Sequence, residues 1–268
     1  MLAGLTPGQR VTVALGLYVA WTALTWLLEG RILTFLRPEA TMDRLIYTGV
    51  TNLVVGTLLA LWVVGRVLTE SPVRPPRLGL QSASRTVMGV TVAGLLGLVM
   101  YVAQGPPTSN PVVVMNAFAQ VLPVSIAEVV VCWMLVGSSV EAWLRDRGTR
   151  SMVAILASIF TSSVLFGLYH LAHSPPFNSP RMIALLTVVG VGTGAFYFGA
   201  RTFYGALVFH NFMALFGVTA ALAAAGQLGT FGRPVLPLIA TATVALFILV
   251  GAEHRFIRSM GSGDRNSS

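Results

Sequence analysis

The chain has 268 residues, of which 55% are hydrophobic and only 10% charged, and its mean hydropathy is +0.78. A soluble globular domain carries about a quarter of its residues as charges, so this composition excludes one and points to the bilayer. Seventeen basic residues face nine acidic ones, and every basic residue is Arg; they lie between apolar runs rather than in one patch, which marks topology and excludes a nucleic-acid surface.

A hydrocarbon core about 30 Å thick needs about 20 apolar residues per helix, and eight stretches meet that need. The first, 11–28, has an apolar core too long for a signal peptide and no clear small-x-small cleavage site, so it reads as a retained span. The next are 45–68, 86–103 and 111–137. Between them lie "TESPVRPPRLGLQSASR" and "QGPPTSNP", with the Pro, Gly and Ser of loops. The last four are 151–171, 182–199, 203–225 and 235–252. Cys132, the single cysteine, sits in the fourth and allows neither an intrachain disulfide nor a Cys-built zinc site. The expected fold is therefore all-α, a polytopic membrane bundle of about eight transmembrane helices forming one domain over 1–255. A polar segment, 256–268, has the composition of a disordered tail.

Arginine placement predicts the orientation. Arg10, Arg66, Arg74, Arg77, Arg85, Arg145, Arg147, Arg150, Arg201, Arg255, Arg258 and Arg265 all fall on one side of the expected membrane. Arg31, Arg37, Arg44, Arg181 and Arg233 fall on the other. The positive-inside rule then puts both termini in the cytoplasm, with the cell membrane as the expected location.

Ionisable groups in hydrocarbon are costly, and where they occur they mark candidate sites. Three lie well inside the spans: Glu128 in "PVSIAEVVVCWML", His170 in "LFGLYHLAH" and His210 in "YGALVFHNFMALFG". At about 1.5 Å rise per residue, Glu128 lies about 26 Å before Arg145 and His170 about 30 Å beyond Arg150, so these two share a height. His210 lies only about 13 Å beyond Arg201 and fits that height less well. A carboxylate and two imidazoles can hold Zn²⁺ with one position open to water. Without metal, the desolvated carboxylate can act as general base on a water, a histidine can orient that water, and another donor can stabilise the oxyanion.

At these residues the sequence resembles the CPBP family of intramembrane proteases, the CAAX-protease and bacteriocin-processing group also called ABI proteins. The family pattern is E-E-x-x-x-R on one helix, F-x-x-x-H on the next and H-x-x-x-N later. Phe166-Gly-Leu-Tyr-His170 carries the second motif intact, and His210 after "RTFYGALVFH" carries the start of the third. The likeness covers about residues 123–217, within a CPBP-like core of about 111–225. The chain departs from the pattern at three places. Glu128 stands where the family has a glutamate pair, with Ala127 or Val129 beside it. Cys132 or Trp133 stands at the arginine, and Ala214 at the asparagine. Asn211 is about 100° round the helix from His210 and does not replace it.

The resemblance implies a metalloprotease-like hydrolase, a CAAX-protease-like endopeptidase that cleaves a membrane-embedded or lipidated peptide or protein. Glu128 and His170 would activate water and His210 would stabilise the oxyanion, with Zn²⁺ held by Glu128, His170 and His210 if a metal is used. The alternative that the missing positions imply is a catalytically inactive scaffold or regulator of a membrane partner protein. His173, three residues after His170 and just before "SPPFNSP", reads as an interfacial histidine one turn nearer the external surface.

Overall fold

Side chains in the loops set where the helices begin. Thr6 caps the first helix through a reciprocal pair with Gln9. Asn110 and Ser179 cap the fourth and sixth, each followed by a proline whose missing N–H costs nothing there. Thr202 caps the seventh. In a computed structural model, described over residues 4–30, 41–68 and 75–258, no strand occurs among the described residues.

Among the described residues, eight helices are long and apolar enough to cross a membrane, and they identify an integral membrane protein. They are α1 Pro7–Gly30, α2 Met42–Leu68, α3 Ala83–Ala103, α4 Pro111–Asp146, α5 Ser151–Ala172, α6 Pro180–Gly199, α7 Phe203–Ala224 and α8 Leu236–Arg258. Arg31, Arg37, Arg74, Arg265 and residues 259–268 of the expected tail lie outside the described residues. Residues 256–258 of that tail form instead the last turn of α8.

The fourth helix departs furthest from expectation. It runs past 137 to Asp146 because its polar residues are satisfied by protein rather than by water. Ser138 Oγ lies 3.2 Å from the Tyr197 hydroxyl, and Glu141 accepts from Arg145 and from Arg201. The stretch beyond the expected span is thus a paired helix end.

Helix α4 is the hub. Every residue from Ser125 to Glu141 is buried, and α1, α2, α5, α7 and α8 all pack on it. The outer helices show the reverse pattern: α3 buries only Ala93, Gly97 and Tyr101, and presents Val87, Met88, Leu95 and Val99 outward. A hydrocarbon solvent rewards this arrangement, with apolar side chains outside and polar ones within. Small residues let α5 and α6 approach closely. A Cβ on Gly167 would lie 1.9 Å from Thr187 Oγ1, and one on Gly190 would lie 3.0 Å from Ser163 Cα.

One end of the bundle gathers arginines around Glu141. Arg201 has a positive φ of 49°, uncommon for a residue with a side chain, and is over-determined there. Its carbonyl accepts from Gln81 at 2.9 Å, and its guanidinium reaches Arg77 O and both Glu141 oxygens. Burial works to lower the pKa of this guanidinium, but the Glu141 carboxylate outweighs it and raises it.

Candidate active site

Glu128 closes the regular part of α4, Pro111–Glu128, and a widened π-helical stretch, Val129–Gly137, follows at once. The Glu128 side chain points into the bundle and is buried.

His210 comes to it from α7, with Nε2 at 2.9 Å from Glu128 Oε2. Its Nδ1 lies 2.9 Å from Thr193 Oγ1 on α6. An ionised carboxylate only accepts, so Nε2 carries the proton and Nδ1 accepts from the threonine hydroxyl. Trp133 and Phe166 meet the ring edge-on, with centroids at 5.4 and 4.9 Å.

His170 approaches from α5. Its Nδ1 donates to Phe166 O at 2.9 Å, which turns Nε2 toward Glu128 Oε1 at 3.7 Å, too long for a direct hydrogen bond. The three residues singled out in the sequence therefore meet, with Glu128 between the two rings. His210 joins them despite its shorter distance from Arg201, whose guanidinium reaches one turn up α4 to Glu141 through bonds of 2.8 and 2.6 Å.

His173 belongs with this cluster rather than apart from it. It is buried, and its ring stacks on that of His170 with centroids 4.8 Å apart. The reason is local. At His170 the helix tightens into a 3₁₀ turn, His170–Ala172, and residues three apart eclipse across such a turn.

Glu29, at the end of α1, was not apparent as a site residue from the sequence. Its carboxylate lies 3.2 Å from His173 Nδ1, and it accepts from the Ser174 backbone N–H at 3.1 and 3.0 Å and from the Ser174 hydroxyl at 2.5 Å. Gly30 makes that approach feasible, since a Cβ there would lie 2.1 Å from Ala172 O. Glu29 reads in sequence as a charge at a span end, and only the packing of α1 on the 170–174 turn brings it inward. Below it, Tyr169 stacks on Trp21 at 3.8 Å, and its hydroxyl lies 3.1 Å from Thr25 Oγ1 and 3.2 Å from the Tyr47 hydroxyl.

The described residues hold one group able to bind a metal: Glu128, His170 and His173, whose ligand atoms all lie within 4.8 Å of one another. His173 thus stands where the sequence suggested His210, because His210 spends its Nε2–H on Glu128. Asn211 donates to Phe118 O at 3.1 Å and faces away from this chemistry. Compared with known proteins, the chain matches no family model, no curated protein and no solved structure.

Proposed function

We propose that this protein is a CPBP-type intramembrane endopeptidase that hydrolyses a peptide bond of a membrane-embedded or lipidated protein. One observation carries the reading: a buried carboxylate at the centre of a membrane bundle, flanked by two imidazoles on its two oxygens. The 3.7 Å gap between Glu128 Oε1 and His170 Nε2 suits a water held by both. Glu128 takes a proton from that water as the hydroxide adds to the substrate carbonyl, and the same proton passes to the amine as the C–N bond breaks. The proposed location is the cell membrane with both termini cytoplasmic, supported by the arginine-rich end of the bundle. Glu29 and the 170–174 turn lie toward the opposite end.

The test is the purified chain in lipid nanodiscs mixed with membrane peptides, with new termini detected by mass spectrometry. Glu128→Gln keeps shape and hydrogen bonds but removes the base, and cleavage should fall by about 10²-fold or more. Equal cleavage by the variant overturns the peptidase mechanism.

A second reading, a non-catalytic scaffold for a membrane partner, is favoured by one feature. Both ring nitrogens of His210 are engaged, by Glu128 and Thr193, and Ala214 supplies no donor, so an oxyanion has no ready partner on α7. Rescue of a deletion phenotype by Glu128→Gln would support this reading over the first.

A further inference from the structure

Glu128, His170 and His173 bring ligand atoms within 4.8 Å of one another in the bundle. His170 Nδ1 is committed to Phe166 O at 2.9 Å, so its N–H points there and Nε2 is left as an acceptor. His173 Nδ1 is committed to Glu29 at 3.2 Å, so its Nε2 is an acceptor as well, and that atom is buried without a hydrogen-bond partner. Glu128 has given Oε2 to His210 at 2.9 Å and turns Oε1 toward His170 at 3.7 Å. Acceptors gathered in a low-dielectric interior repel one another unless something positive lies among them.

We propose that Glu128 Oε1, His170 Nε2 and His173 Nε2 bind one Zn²⁺ ion, with Glu29 and His210 positioning the ligands from outside. Two imidazoles and a carboxylate form a set that zinc takes with a fourth position open to water. The hard ions Mg²⁺ and Ca²⁺ prefer all-oxygen sites and are disfavoured. Ligands of a tetrahedral ion bound at about 2.0–2.1 Å sit about 3.3 Å apart, so the 3.7 Å spacing of His170 and Glu128 needs a small contraction, and the group as a whole, within 4.8 Å, draws in by up to about 1.5 Å. The two imidazole planes are 20° apart, and binding turns the rings so that their lone pairs meet at one point. Each ligand has the outer partner that fixes its tautomer or aim: Phe166 O for His170, Glu29 for His173, and His210 for Glu128.

This inference stands apart from the metal-free peptidase step, which uses the same Glu128 Oε1 and His170 Nε2 and is displaced when the ion is bound; an inactive scaffold would hold the ion equally well. The experiment therefore uses no substrate. The full chain, purified in nanodiscs and stripped with chelator, is titrated with Zn²⁺ against a fluorescent competitor, and metal content and thermal unfolding are read in parallel. One Zn²⁺ per chain and a rise in the unfolding temperature on adding zinc are expected. His173→Gln should lose both, whereas Glu29→Gln, which breaks the same buried Glu29–His173 contact but keeps the ligand nitrogen, should retain a zinc-dependent rise, which separates ligand loss from misfolding. Glu29→Gln should weaken binding by about 10–100-fold. Co²⁺ should give the visible absorption of a tetrahedral site, and His173→Gln should abolish it. No stoichiometric binding by the unaltered chain, or binding unchanged in His173→Gln, overturns the site.

Discussion

Glu128 and His210 are 82 residues apart in the chain and 2.9 Å apart in the bundle. The bond commits the carboxylate's Oε2 to one ring and leaves Oε1 for the opposite side of the site. It also chains the site to α6, since His210 in turn accepts from Thr193.

Thr193→Val removes that hydroxyl while keeping its volume. A buried ring nitrogen loses its partner, so stability should fall by about 1–3 kcal/mol. The check is thermal unfolding of the purified variant, and in a working peptidase the cleavage rate should fall with it as the His210 ring loses its orientation.

Gly30→Ala places a methyl 2.1 Å from Ala172 O. Because a backbone carbonyl cannot swing away as a flexible side chain can, α1 must back off from the 170–174 turn. Overpacking of this kind costs about 1–3 kcal/mol. The Glu29 contacts to Ser174 and His173 should break together, which a lowered unfolding temperature and loss of Glu29-dependent metal affinity would report.

The Arg201–Glu141 pair ties α4 to the α6–α7 connection through two bonds of 2.8 and 2.6 Å. Arg201→Gln should destabilise by about 1.5–3 kcal/mol, the range of hydrogen bonds to a charged group. In a double-mutant cycle, Glu141→Gln should cost less on the Arg201→Gln background than alone, because the shared interaction is already gone. Additive costs would show that the pair is not coupled.

Topology is open to direct labelling. On a Cys132→Ala background, Ser109→Cys and Asp146→Cys are both exposed positions at opposite ends of α4. A membrane-impermeant maleimide applied to intact cells should label Ser109→Cys and spare Asp146→Cys. The reverse result would invert the orientation taken from the arginines.

Composition and apolar run length alone marked an integral membrane protein and the eight apolar stretches that the described residues form into helices of spanning length, because a bilayer of fixed thickness demands a fixed length of apolar chain. They also marked Glu128, His170 and His210, since a charged or titratable group in hydrocarbon is costly enough to stand out. Tertiary structure decided the rest. Glu29 looks like an interfacial charge until Gly30 lets α1 close on Ala172. His173 looks interfacial until a 3₁₀ turn lays it on His170. The polar end of α4 lies beyond the apolar run that marks the span, and pairing of Arg201 with Glu141 fixes its place in the bundle. Sequence periodicity records which face of a helix is apolar, but which polar atoms meet depends on contacts between segments far apart in the chain.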